Sequence, residues 1–263
     1  APHLMGNIVN WDKIAPTLKK KGILIIEDSA DTLGATYKKK STGHYADISI
    51  TSFYGSHIIN CAGNGGMVCF NDKSKYTKAK LLRSWGRSSS LFDEKSEKIE
   101  NRFNIKLDGI SYDKKFVFEK IGHNLEPSEI GAAFGLIQLK KLKKNLHRRE
   151  INFNLHTKYL RKYSKYFILP KQLPQTKTGW LAYPITLRKN SPFSRTDMQI
   201  FLENKNIQTR VVFTGNILRQ PGFKKIKAIK NKNGYPEADK VMKNGMLIAC
   251  HHGLTKNMIT HIH

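Results

Sequence analysis

An imidazole at position 57, within SFYGSHIINCAGNGGMV (52–68), is the side chain in this sequence best suited to moving protons, because an unperturbed histidine titrates at about 6.5. Two carboxylates, Asp28 and Asp31, follow the apolar run GILII. Asp28 ends that run, where a carboxylate acts either as a turn or helix cap or as the partner of a protonated ring nitrogen in a ligand. Arg210 and Arg219 are of the type that grips a diphosphate bidentately. Asn216 lies between them, and plain surface roles compete for all three. His251-His252 resembles a metal pair, but adjacent residues on a strand point to opposite faces. A loop role and no metal site are expected there.

These residues need elements that bring them together. Asn10 can cap a helix through WDKIAPTLKK. Ile23–Ile26 predicts a strand buried on both faces, with Glu27-Asp28 at its carboxyl end. ADISITSF (46–53) and GGMVCF (65–70) predict two more strands. Helix and strand joined by short connections imply an open α/β sheet. Ligands of such sheets bind at the carboxyl ends of the strands, where Asp28 and the 52–57 stretch both lie. Residues 73–86 read as a helix ending at Gly86, and 87–120 as a polar, irregular excursion. EPSEIGAAFGLIQLKKLKKNL predicts a strong helix with Pro127 in its first turn, small residues for close packing, and continuation through the 150s. It would bridge a larger domain (1–145) to a smaller α+β domain (146–263) with strands near 180–188 and 207–213. Helices capped by Ser194 and spanning YPEADKVMKNG are expected in that second domain.

The 263 residues carry 46 Lys+Arg against 20 Asp+Glu, a formal charge of +26. The lysines are scattered (19–21, 38–40, 140–144, 224–232) and no basic stripe interleaves with aromatics, so nucleic acid is not the expected partner. No apolar run approaches the roughly 20 residues that span a bilayer. The start lacks the charged and apolar regions of a signal peptide. Cys61, Cys69 and Cys250 form no paired motif, which favours a cytoplasmic location. The chain lacks an initiator Met and ends inside a helical pattern, so a fragment cut at both ends is expected.

GNIVNWDKIAPTLKKKGILIIEDSADTLGATY, followed by SFYGSHIINCAGNGG, resembles the DegT/DnrJ/EryC1/StrS family of sugar aminotransferases. The resemblance continues through LLRSWGR, GHNLEPSEIGAAFGLIQLKKL, IQTRVVFTGNILRQPGF and HHGLT. It implies the fold type I architecture of pyridoxal-phosphate enzymes, a homodimer, and action on nucleotide-linked 4-keto-6-deoxy sugars. It places Asp28 on the pyridine nitrogen, Asp31 near the ring, Ser52 on the cofactor phosphate and Asn124 in the partner subunit's site. The aminotransferases' Schiff-base lysine falls on His57. Residues 41–72 contain neither Lys nor Arg, so no nearby lysine replaces it, and an imidazole cannot form that stable covalent link.

This departure resembles the family's 3-dehydratase branch, which removes the C3 hydroxyl of a 4-keto sugar, in surface polysaccharide (O-antigen) pathways, with pyridoxamine or pyridoxal phosphate. Some of that branch carry an iron–sulfur cluster with cysteines just after SWGR. Here that place reads Ser88-Ser89-Ser90, and a cluster needs about four cysteines, so none is expected. An amino donor such as glutamate, or a reductase, would then supply the electrons. A nucleotide-sugar aminotransferase of the same family and an inactive or purely binding homologue are the alternatives. The resemblance also implies an upstream half-site beyond the first residue.

Overall fold

Alternation within GILIIED organises the first sheet. The computed structural model describes residues 1–227 and 229–263, leaving Ala228 of the basic run 224–232 outside. Strand β1 (Ile26–Asp28) runs parallel to β2 (Ile48–Ser52), and β3 (Gly66–Phe70) returns antiparallel to β2. On the far side of β1, Pro2 forms a parallel bridge to Asp28. Ile25 is buried with Trp11 and Ala15 of helix α1 (Trp11–Lys20), whose Asn10 cap accepts from the Lys13 N–H as expected. Ile26, paired across β2 with Ile48, is 47% exposed, and Ile50 and Val68 also stand open. The expectation of burial on both faces is therefore corrected. The face of Ile25 and Glu27 is closed, and the face of Ile26, Asp28 and Ile50 is left partly open among the described residues. Period-two geometry sends Glu27 and Asp28 to these opposite faces.

Helix α2 (Lys73–Arg83), capped by Asp72, leads into 87–120. That segment is less irregular than expected. It holds a short helical turn (Ile99–Arg102) and a hairpin of 105–107 with 110–112. Asp108-Gly109 joins the hairpin with positive φ at both residues, the requirement of a tight turn whose twist matches its strands.

Helix α3 (Glu129–Leu160) is 32 residues long. Ser128, not Pro127, is its cap, accepting from the Gly131 N–H. Pro127 therefore precedes the helix rather than occupying its first turn, since the Ser128 hydroxyl offers the free Gly131 N–H an acceptor that a proline side chain lacks. Beyond it a second sheet orders as β6 (Thr209–Val211), β7 (Gly245–Ala249), β5 (Ala182–Leu187) and β4 (Phe167–Ile168), all antiparallel. Helices α4 (Arg195–Glu203, with a Ser194–Asp197 capping box), α5 (Pro236–Asn244) and α6 (Lys256–Ile262) complete it. Tyr183, Ile185 and Leu187 alternate inward on β5, and Phe153 of α3 stacks on Trp180 at 4.5 Å. Among the described residues no helix is long and apolar enough to cross a membrane.

The inner face of α3 is unexpectedly polar. Arg149 Nη1 donates to the Trp180 and Leu181 carbonyls, Asn152 Nδ2 to the His251 carbonyl, and His156 Nε2 to the Ala249 carbonyl. His156 Nδ1 then accepts from His263 Nε2 at 2.8 Å. Burial, with the neighbouring His263, pushes the pKa of His156 down to about 4. A depressed histidine leaves the folded state with fewer protons than the unfolded chain, so its stability is complete above about 6.5 and is lost as pH falls toward 4. Urea unfolding at pH 7 and pH 5 should show stability lower by about 2 kcal/mol at pH 5 from His156 alone.

Candidate functional site

The carboxyl ends of β1 and β2 and the loop from β2 to β3 meet at one place. The strands stand in parallel register, with Asp28 opposite Ile50. Beyond β1 the chain crosses to β2, Ser29 N–H donating to the Ile50 carbonyl and Thr51 Oγ1 to the Ser29 carbonyl. Asp28 is half-buried on the partly open face. Its Oδ1 accepts from the Ala30 N–H at 3.0 Å, and among the described residues Oδ2 receives no hydrogen bond. Ser52 Oγ accepts from the Tyr54 N–H at 3.2 Å, which leaves its hydroxyl proton free to donate.

His57 rides on a loop that prolongs the β2–β3 ladder. Phe53 N–H donates to the Gly65 carbonyl, Gly55 N–H to Gly63, and His57 N–H to Tyr54 within a turn. Ile58 and Ile59, 2% and 5% exposed, anchor the loop just past the histidine. Behind it α3 presents Gly131 and Gly135. A Cβ at either would stand 2.9 Å from the Cys61 carbonyl or 2.5 Å from its sulfur, so the loop lies against helix backbone. These small residues do the close packing expected of them.

His57 Nε2 lies 3.7 Å from Asp31 Oδ1. Asp31 is 6% exposed, and its Oδ2 accepts from the Met5 N–H at 2.9 Å. Burial lifts its carboxyl above the usual range and nearby Asp28 adds to this, against the pull of the Met5 N–H and His57. His57 Nδ1 is buried with no hydrogen-bond partner among the described residues. The ring's residual exposure therefore lies away from Nδ1.

Four of the predicted site residues thus cluster: Asp28, Asp31, Ser52 and His57. Asn124 stands apart, exposed in the turn before α3 and bridged to Ser84. Arg210, Asn216 and Arg219 lie on and after β6, and none bonds to the cluster. Arg210 donates to the Thr209 carbonyl. Arg219 and Asn216 both hold Asp239 of α5, which lowers the Asp239 carboxyl to about 2. That is a structural tie between a loop and a helix. His251 is in a loop as expected, its Nδ1 accepting from the Gly253 N–H. Among the described residues no group of three or more His, Cys, Asp or Glu could hold a metal.

Sequence reasoning passed over the support behind the cluster. Glu27 is wholly buried, 3.3 Å from His3 and hydrogen-bonded by the Ser29 hydroxyl. Burial pulls its carboxyl up, but the His3 and Ser29 partners outweigh this and hold it below the usual value. The available signal was that, of two adjacent acids ending a strand, period two turns one toward the packed face, where a carboxylate needs a partner once buried.

A model of the DegT/DnrJ/EryC1/StrS aminotransferase family matches residues 1–263. The lipopolysaccharide biosynthesis protein RfbH of Salmonella typhimurium is 29% identical over 262 residues, covering 99% of this chain and 60% of its own length. The dTDP-4-dehydro-2,6-dideoxy-D-glucose 3-dehydratase of Saccharopolyspora spinosa is also 29% identical over 262 residues, covering 99% of this chain and 56% of its own length. Among solved structures, E. coli GDP-4-keto-6-deoxy-D-mannose-3-dehydratase with bound hydrated PLP superposes with a TM-score of 0.86 at 24% identity, over 99% of this chain and 64% of the other. The chain thus spans less than two thirds of the length of these proteins. With a parallel strand pair ending in Asp28 and Ser52, and a family model matching from first residue to last, the chain belongs to the DegT/DnrJ/EryC1/StrS aminotransferase family and has the mixed α/β fold of its pyridoxal-phosphate-dependent members.

Proposed function

We propose that this chain carries the chemistry of a nucleotide-sugar 3-dehydratase. The reaction is removal of the C3 hydroxyl from a nucleotide-linked 4-keto-6-deoxyhexose with pyridoxamine or pyridoxal phosphate, in surface polysaccharide biosynthesis. The observation that carries this reading is an imidazole, held beside Asp31 at 3.7 Å, where the resemblance puts the aminotransferase lysine, in a stretch (41–72) with no Lys or Arg. Relatives named as 3-dehydratases of dTDP- and GDP-linked sugars support it.

The residues fit the cofactor. Among the described residues Asp28 Oδ2 has no hydrogen-bond partner and suits a protonated ring nitrogen, and the Ser52 hydroxyl has a proton to give a phosphate oxygen. When bound, the cofactor supplies an electron sink. His57 moves a proton to and from the reacting carbon through Nε2, the ring nitrogen that is not sealed in the loop. Asp28 would hold the proton on the cofactor's ring nitrogen. In the full reading, glutamate serves as amino donor, no iron–sulfur cluster takes part, and the enzyme is a cytoplasmic homodimer whose exposed Asn124 reaches the partner's site.

The test is incubation of the whole protein with cofactor and glutamate against CDP-, GDP- and dTDP-linked 4-keto-6-deoxyhexoses, with products read by mass spectrometry. A product lighter by one oxygen is expected from one nucleotide series. An amino sugar that keeps every other oxygen would replace this reading with that of an aminotransferase.

A further inference from the structure

The reading above leaves the nucleotide end of its substrate without a holder. Among the described residues Arg219 and Asn216 are tied to Asp239, and Arg210 donates to the Thr209 carbonyl. The stretch that carries Ser52 and His57 has no Lys or Arg of its own. One feature elsewhere is unused, the turn 84–87 that follows α2. Trp85 sits there at φ 57°, a left-handed conformation that a bulky side chain rarely adopts. Its N–H donates to the His123 carbonyl at 2.8 Å, and the Glu119 N–H donates to the Gly86 carbonyl at 2.9 Å. A Cβ at Gly86 would run into the Lys120 carbonyl, and one at Gly122 would stand 2.5 Å from the Gly86 nitrogen. The turn is thus clamped against 119–123 on both sides.

The clamp presents an open indole. Trp85 is 38% exposed, whereas Trp11 and Trp180 are each 1% exposed. The Arg87 guanidinium lies over its ring, with Cζ 4.5 Å from the centroid. Arg83, one turn earlier, reaches Glu126 at 3.1 Å. Among the described residues no carboxylate pairs with half-buried Arg87, and its Nε is buried without a hydrogen bond. We propose that Trp85 and Arg87 form the subsite for the nucleotide end of a nucleotide sugar, the indole stacking on the base and the guanidinium taking the adjoining phosphate charge. This rests on the nucleotide-sugar reading above and adds a subsite to it. Asn124 belongs to the same place, since Ser84 bridges to Asn124 beside the bond from Trp85 to His123. The subsite therefore serves the site that Asn124 reaches.

Neither backbone nor packing gives a reason for tryptophan at this position. Glycine would adopt the same φ without strain, and strained residues of this kind cluster at ligand clamps. Trp85 belongs to neither buried cluster, whereas Trp180 and Trp11 each anchor one. The chemistry of the pair points to a nucleotide. Every nucleobase offers a flat π-face to an indole. A guanidinium stacked on an indole has its face satisfied by the ring and keeps its edge N–H groups for an anion. A half-buried cation without an acid is costly, and a phosphate offsets that cost through charge-assisted hydrogen bonds. An apolar side chain from a second copy is the competing occupant, because Ile121 and Leu125 nearby are also open. It would leave the guanidinium unpaired, and a nucleotide would not.

The experiment is acrylamide quenching of tryptophan fluorescence in the whole protein, titrated with GDP, CDP and dTDP, beside calorimetry of the same nucleotides. The Trp85 signal is assigned by its loss in Trp85→Gly. In the ligand-free protein acrylamide should quench Trp85 ahead of the buried Trp11 and Trp180, and at least one nucleotide should protect it saturably. Trp85→Gly, which suits the left-handed backbone, should keep the melting temperature while nucleotide affinity falls by roughly 5- to 150-fold, the loss of one base–aromatic stack. Trp85→Tyr should restore most of that affinity. Unchanged affinity in Trp85→Gly, a Trp85 already shielded in the ligand-free protein, or no nucleotide binding by the native protein would overturn the subsite. The native quenching stands as a test even where the glycine variant does not fold. Binding is read without turnover. Protection of Trp85 together with an aminated product would reject the dehydratase reading and keep the subsite. A 3-deoxy product with unchanged affinity in Trp85→Gly would reject only the subsite.

Discussion

Asparagine at position 57 is expected to lower turnover of the 4-keto sugar by two to four orders of magnitude, with cofactor affinity changed only a few-fold. The magnitude is that of a positioned general acid–base group. The argument for a clean result is local. His57 is half-buried on a loop fixed by other residues: Ile58 and Ile59 fill the core beside it, and Cys61 lies on the glycines of α3. Its backbone N–H donates to the Tyr54 carbonyl whatever the side chain. Its ring makes no hydrogen bond that asparagine would leave broken among the described residues, and Nδ1 is already without a partner. The variant therefore keeps the loop and removes only the titratable nitrogen. Equal loss of kcat and kcat/KM, with unchanged binding of cofactor by absorbance titration, would show that His57 acts in the chemical step.

The second large effect belongs to Asp28. Asp28→Asn should weaken cofactor binding by about 10- to 150-fold, the value of a hydrogen bond to a charged group at 1.5–3 kcal/mol. The substitution separates two roles of one side chain. An amide oxygen can still accept from the Ala30 N–H as Oδ1 does now, so the turn after β1 persists. What is lost is the negative charge on the other oxygen. Unchanged melting temperature with weakened binding would assign the charge to the ligand, and unchanged affinity would remove Asp28 from the cofactor site.

How far the sequence led depended on the range of the interaction. The second parallel strand, the caps at Asn10 and Ser194, and the long α3 follow from local signals and stand where those signals fall, whereas the first strand begins only at Ile26 and Ser128 rather than Pro127 starts α3. The convergence of Asp28, Ser52 and His57 followed from a topological rule about strand ends together with the family resemblance. Burial was read less well. GILII looks the same whether both faces are covered or one, and only Ile25 and Glu27 turn out to face packed neighbours. The Asp108-Gly109 turn was legible as a hairpin signal and was lost in the surrounding polarity. Arg219 carried two readings, a diphosphate grip and a surface role, and its tie to Asp239, a partner 20 positions away, is one that no local pattern announces. The supports behind His57 were out of reach for the same reason. Met5 and Asp31 are 26 residues apart and joined through a backbone N–H, which has no signature in residue type.

The central claim is that an imidazole in the lysine's place directs this site to lose oxygen rather than gain nitrogen. Proton NMR at C3 of the sugar product, made by the whole protein with cofactor and glutamate, tests it most directly. The account predicts a methylene at C3 with the C4 carbonyl intact. A C3 proton still on a hydroxyl-bearing carbon, beside an amine at C4, would contradict it.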